Sequence, residues 1–301
     1  MGRGTKGSLP DESPNLYSVA MSKPPVRPWV RAFLWLDGAI QRAVNLQDSL
    51  RDELFLSWVS PDERTPLTTA LYSREDSYMP GRGHVERGLF PAEEYAFRAR
   101  PLASGSRILL GAAGTGRELV ALLERGYEVV AFDPCVSFAE AARSISRNVT
   151  FVDAAYADVV RAVEDRSGPL AFLRDGPPID AIMFGWGSLS HVLPHAERVR
   201  LLSAFRQMAP QAPIFASFLF RPETTNFTRG RARNALKALF TALGAPNTSE
   251  KGDHFSPYIG FFSALGREEI DQLAAESGYE IIHFDAGADA YAVFEPKNKP
   301  R

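Results

Sequence analysis

Cysteine is almost missing from the 301 residues: Cys135 stands alone. That excludes an intrachain disulfide and any cysteine-rich zinc or iron–sulfur centre, and with it radical chemistry on a cluster. Long apolar runs are missing too. No stretch approaches the roughly 18 residues that a membrane span requires. The opening MGRGTKGSLPDESPN has no apolar centre of the secretory kind, and Lys6 stands where N-myristoylation requires Ser or Thr. Charge of one sign is scarce, the net charge being -2. Nucleic acid or an anionic membrane would therefore need a local patch to bind to. No repeat recurs at the periods of solenoids or propellers. These absences lead to the expectation of a cytoplasmic protein with no membrane partner.

The residues that are present suit a packed interior. A composition 45% hydrophobic and 23% charged is ordinary for a globular chain of one large domain or two small ones. Residues 1–28 are rich in Gly, Pro, Ser and charge and have few large apolar side chains, so a flexible tail is expected there. Across residues 29–58 the apolar positions recur at mixed three- and four-residue steps. That spacing predicts one broken helix or two short ones, forming an N-terminal helical cap. The proline-rich stretch 60–101, with Tyr72, Tyr78 and Phe90, reads either as a surface meander packed on the core or as a lid. Cap and lid together occupy residues 29–105.

From Arg107 the pattern changes to apolar runs alternating with amphipathic segments. RILLG, the turn AAGTG, an amphipathic stretch stopped by Gly126 and EVVAF ending at Asp133 spell strand, loop, helix, strand. Ser137 with Glu140 fits a capping box for the next helix. A strand ending at Asp153 follows, then a helix over residues 156–164, the strand IDAIMF, a helix over 195–208 and the strand IFASFLF. An interruption at residues 221–262 precedes a helix over 267–277 stopped by Gly278. EIIHF and YAVFE close the chain, and the short DAGADA between them leaves no room for a crossover helix, so this pair is expected to be antiparallel. The expected fold is α/β: a doubly wound, mostly parallel seven-stranded sheet with an antiparallel last strand over residues 106–296, an insertion at 221–262, and the N-terminal helical cap.

Four motifs in this order resemble the class I S-adenosylmethionine-dependent methyltransferases, over about two thirds of the chain. Leu110-Gly111-Ala112-Ala113-Gly114-Thr115-Gly116 stands where that family has an acid-x-Gly-x-Gly-x-Gly loop. Asp133 ends the second strand, Asp153-Ala154 resembles the pair near the adenine, and DAIMFGWGSLSHV resembles the fourth-strand segment facing cofactor and acceptor. The resemblance implies S-adenosyl-L-methionine as cofactor, held by Gly111, Ala112, Ala113, Gly114, Gly116, Asp133, Pro134, Asp153, Ala154, Gly185 and Trp186. Glycine without a Cβ lets the chain pass close under a ligand. A carboxylate such as Asp133 can accept from two ribose hydroxyls at once. Two positions depart from the family: Leu110 replaces the first acid and Ala112 the first glycine. Glu118, in the first turn of the following helix, is a substitute for the lost acid, or else a surface acid placed to suit the helix dipole. A nicotinamide loop fits less well, since Gly114-Thr115-Gly116 puts Leu119 where the third glycine belongs.

The acceptor is narrowed mainly by exclusion. Where enzymes methylating base amino groups have an Asn/Asp-Pro-Pro-aromatic turn, this chain has Gly185-Trp186-Gly187-Ser188. Carboxylates do not cluster there as a magnesium-dependent catechol enzyme would need, so no metal site is expected. His191 is the obvious candidate general base, an imidazole near neutral pKa, or else a packing or cofactor contact, and His254 in the interruption could reach the same pocket or be an ordinary loop histidine. Arg229, Arg231, Arg233 and Lys237 form a basic row that is either a solvated face or an RNA or peptide contact. The reading is transfer of a methyl group to an oxygen or nitrogen of a small-molecule acceptor. Its rivals are an inactive cofactor- or partner-binding protein on the same fold and an RNA or protein methyltransferase.

Overall fold

The computed structural model describes residues 27–83, 85–145, 149–222, 227–246 and 248–297. The expected tail lies almost wholly outside them. Two compact units divide the chain, residues 1–46 and 47–301. The described part of the first is the leading stretch of α1 (Pro28–Trp58). That helix is continuous, in place of the broken or paired helices expected from the spacing. No proline follows Pro28 within it, and its one glycine, Gly38, costs only about 1 kcal/mol against alanine.

The stretch 60–101 is largely helical, which corrects its reading as a meander. Pro61 and Pro91 stand at the first positions of α2 (Pro61–Tyr72) and α3 (Pro91–Ala99), where a missing N–H costs no helical bond. Proline there starts helices. α3 lies on one face of the sheet, with Ala92, Ala96 and Phe97 buried and the Phe97 ring stacked 4.7 Å from Phe215.

Seven strands form the sheet in the order β3-β2-β1-β4-β5-β9-β8. They are β1 (Arg107–Gly111), β2 (Glu128–Asp133), β3 (Thr150–Asp153), β4 (Ala181–Phe184), β5 (Ile214–Ser217), β8 (Tyr279–Asp285) and β9 (Tyr291–Pro296). The first five pair in parallel, and β9 runs antiparallel to both β5 and β8, as the short DAGADA link requires. β4 and β5 are buried at every residue, the mark of strands covered on both faces. The covering helices are α4 (Arg117–Glu124), α5 (Val136–Ile145), α6 (Tyr156–Glu164), α7 (His195–Met208) and α9 (Arg267–Ser277). α5 begins one residue before the proposed capping box, so Ser137 lies inside the helix, and its hydroxyl meets Cys135 Sγ at 3.3 Å.

The interruption at 221–262 is itself ordered where described. It holds α8 (Phe227–Ala242), whose side chains are described from residue 233 on, and most of a hairpin of β6 (Asp253–Ser256) and β7 (Gly260–Ser263). Phe255 and Phe261 of the hairpin bury a small core with Leu56, Leu67, Leu71 and Leu193. The strand order reverses direction between β1 and β4, and in such sheets the crevice beyond those two strand ends is where ligands sit.

Candidate functional site

A cavity of about 940 Å³ opens at that crevice. Its lining comes from the loop after β1, the end of β2, the start of α6, the turn after β4, and α2. The glycine-rich loop forms one wall. Ala113 N–H donates to Phe132 O at 3.1 Å, tying the loop to β2, and Gly116 then caps α4. Ala112 occupies the place of the family's first glycine and adopts a left-handed φ of 51°. For an alanine this conformation costs about 1–2 kcal/mol, so the loop keeps the backbone path of a glycine without the residue suited to it.

Asp133 is buried at the end of β2. Its Oδ2 accepts from Gly114 N–H and its Oδ1 from Cys135 N–H, both at 2.8 Å. Burial lifts its carboxyl to about 6, against those two N–H groups, which favour the ionised form. Each oxygen keeps a further lone pair for a donor arriving from the cavity. Pro134, Cys135 and Phe138 continue the wall beyond it.

Glu118 is a buried residue, only 4% exposed, which corrects the alternative of a surface acid. Its Oε1 accepts from Trp186 N–H at 2.9 Å and from Arg117 Nη2 at 2.5 Å. Arg117 also forks onto Glu93, with Nη1 to Oε2 at 2.8 Å and Nη2 to Oε1 at 2.7 Å, and stacks under the Phe90 ring at 3.9 Å. Burial alone would lower the guanidinium, yet the Glu118 and Glu93 carboxylates hold it above the ordinary arginine value. Two carboxylates thus share one cation beside the glycine loop.

The far end of the cavity is aromatic and carries His191. Tyr156 stacks on Phe184 at 4.8 Å and meets Ser188 Oγ through its hydroxyl at 2.7 Å. His191 Nδ1 lies 2.7 Å from Phe261 O, and Nε2 lies 3.1 Å from the Tyr72 hydroxyl. Burial holds the imidazole below its usual pKa, opposed in part by the Phe261 carbonyl.

Ala112, Ala113, Gly114, Glu118, Asp133, Pro134, Trp186 and His191 therefore line one cavity. Gly111 and Gly185 sit behind it, where Gly185 N–H donates to Gly111 O at 2.8 Å, and Gly116 starts the helix beneath. The other expected residues lie elsewhere. Asp153 is 48% exposed and pairs with Arg143 at 2.6 Å, while Ala154 is buried with its N–H on Asp133 O. His254 is turned away to Asp52 at 3.1 Å and stacks on Phe262. Arg233 pairs with Glu53, and Lys237 donates to Ser249, so half of the basic row serves internal contacts. The side chains of Arg229 and Arg231 lie outside the described residues.

Tyr72, Tyr156, Arg117 and Glu93 are the site residues that sequence reasoning missed. Arg117 carried a readable signal, since a basic residue directly before Glu118 at a helix start runs against the dipole unless a carboxylate meets it.

No family model and no curated protein sequence matches the chain. Solved structures do match. The 1,6-didemethyltoxoflavin N1-methyltransferase of Burkholderia thailandensis, bound to 1,6-didemethyltoxoflavin and S-adenosylhomocysteine, is 17% identical, with a TM-score of 0.51 over 79% of this chain and 92% of that one. The PH0226 protein of Pyrococcus horikoshii is 18% identical, with a TM-score of 0.51 over 76% of this chain and 99% of that one. The chain has the seven-stranded fold of the class I S-adenosylmethionine-dependent methyltransferases.

Proposed function

We propose that this protein transfers the methyl group of S-adenosylmethionine to an oxygen or nitrogen of a small-molecule acceptor. The observation that carries the reading is the convergence of the glycine loop, the buried Asp133 carboxylate and His191 on one cavity at the strand-order reversal. Asp133 accepts from the ribose hydroxyls. Gly114 lets the backbone pass close to the methionine part, and Pro134, Cys135 and Phe138 line the adenine end. Glu118 takes the amino end in place of the acid that Leu110 lacks.

The cavity volume of about 940 Å³ lies at the upper end of the roughly 300–1,000 Å³ common for small-molecule sites, which suits a cofactor with a compact acceptor beside it. The fold neighbour from Burkholderia holds such a pair, a heterocycle with S-adenosylhomocysteine. When bound, the cofactor supplies an electrophilic methyl on a sulfonium. The protein's part is to hold the acceptor about 3 Å from that carbon, exclude water and receive the acceptor's proton, so a weak base suffices. Among the described residues no helix is long and apolar enough to cross a membrane.

The test is calorimetry of the full chain with S-adenosylmethionine and S-adenosylhomocysteine, followed by S-adenosylhomocysteine release over a panel of phenols, anilines and alkylamines. Absence of binding at millimolar cofactor would refute the reading. Leu110 and the left-handed Ala112 favour one rival, an inactive binder on the same fold; binding without turnover would establish it.

A further inference from the structure

Methyl transfer to O–H or N–H leaves a proton to be placed, and His191 does not present a free nitrogen for it. Nδ1 faces the Phe261 carbonyl at 2.7 Å, and a carbonyl only accepts, so Nδ1 carries the hydrogen. Burial keeps the ring neutral, which leaves a bare lone pair on Nε2. The Tyr72 hydroxyl, 3.1 Å away, is therefore the donor to Nε2, and its own oxygen still has lone pairs to accept with.

Tyr72 is the last residue of α2 and lines the cavity with Tyr78 and Phe138. Its ring packs edge-on against Phe138 at 6.3 Å and against His191 at 5.7 Å. α2 is itself pinned to the hairpin, where Phe261 N–H donates to Thr68 Oγ1 at 3.0 Å. One backbone residue, Phe261, thus orients the histidine through its carbonyl and the tyrosine's helix through its amide.

Resting on the methyl-transfer reading, we propose that Tyr72 is a further catalytic residue, whose hydroxyl takes the acceptor's proton while passing its own to His191 Nε2. The acceptor's lone pair forms the new bond to the methyl carbon. The methyl–sulfur bond breaks and leaves its electron pair on sulfur. The acceptor's proton moves to the Tyr72 oxygen, the tyrosine's proton moves to Nε2, and the imidazolium is held by Nδ1–H on Phe261 O. Reversal of the two hops after product leaves returns the proton to water. Tyrosine is neutral before and after, so the burial that raises its pKa is no obstacle, because no phenolate has to persist.

Two measurements test the relay. Long-range proton–nitrogen NMR of the full chain with S-adenosylhomocysteine should find His191 as the Nδ1–H tautomer, with an Nε2 resonance that moves on Tyr72→Phe; an Nε2–H tautomer would overturn the proposal. With whichever phenol or amine of the panel turns over, Tyr72→Phe should lower kcat about 100-fold or more at unchanged S-adenosylhomocysteine affinity. His191→Ala should cost a similar factor, and the double variant little more than either, as expected of groups acting as one unit. A Tyr72→Phe enzyme with the parent kcat, or losses that multiply, sinks the relay alone. A parent protein that binds cofactor yet methylates nothing sinks the methyl-transfer reading, and the relay with it.

Discussion

The two ends of the cavity are built in opposite ways. On the methyl-transfer reading, the donor end draws mainly on one short stretch, residues 112–138, whose loop, helix start and carboxylate are fixed by hydrogen bonds such as Gly114 N–H to Asp133 Oδ2 across 19 positions. The acceptor end is assembled from remote pieces: Tyr72 meets His191 across 119 positions, and His191 meets Phe261 across 70. A local end survives as a motif in one dimension, whereas an assembled end exists only once α2 and the hairpin have docked. On the proposed function, the same difference separates the residues that would bind the cofactor from those that would select an acceptor.

The sharpest way to break the donor end is through its buried ion cluster. Arg117→Ala leaves Glu93 and Glu118 without their shared cation, and should cost about 3–5 kcal/mol in urea unfolding, the range for stripping one partner from a buried pair. Glu93, already pushed up by burial, would take up a proton more readily still. A loss below 1 kcal/mol, measured at neutral pH, would mean that water reaches the cluster.

A smaller effect separates binding from folding at the same end. Asp133→Ala should weaken S-adenosylmethionine binding by about 1–3 kcal/mol, the cost of hydrogen bonds to a charged group. Burial pushes the folded carboxyl up to about 6 from an ordinary 3.8. Between those values the folded chain holds the proton and the unfolded chain does not, so ionisation of Asp133 opposes folding, fully so above about 6. On the proposed function, the ionised form, which accepts at both oxygens, would bind the ribose hydroxyls best. Affinity should therefore be highest above pH 6 and fall as the pH drops through that value, and calorimetry from pH 5 to 8 on the parent and Asp133→Ala would reveal it as a slope present only in the parent.

The smallest effect should come from Asp153, half exposed and paired with Arg143. Asp153→Ala should change stability by about 0–1 kcal/mol, as for surface ion pairs, and leave cofactor affinity within error. A large loss of affinity would return Asp153 to the adenine and extend the donor end past β2.

This contrast explains what could be read in advance. The seven strands, the positions of α6, α7 and α9 and the antiparallel close follow from periodicity and link length, both local properties, whereas α8 lies in a stretch whose sequence reads only as an interruption. Asp133 and the glycine loop were legible for the same reason. Glu118 was found, but its burial was not, because that depends on Arg117 and on Glu93, which lies in a stretch that looked like loop. Tyr72 was visible as an aromatic in a possible lid, yet nothing in its neighbours in sequence points to His191. His254 failed in the reverse sense: its neighbours resemble pocket residues, but Asp52, 202 positions away, draws it aside. Mixed apolar spacing alone does not break α1, because no residue inside it interrupts a helix.

The glycines also bear on how an inactive descendant of this chain would be recognised. A Cβ on Gly111 would come 2.6 Å from the Tyr156 ring and 2.7 Å from Phe132, and one on Gly185 would collide with the Ala112 carbonyl. A lineage that had abandoned methylation would still keep both, since purifying selection on folding alone preserves them. Around Gly114 a Cβ would meet nothing within 4 Å, and only a φ of 54° resists it. Drift after loss of activity should therefore register at position 114 first, while the glycines that look most like a signature fall silent as witnesses.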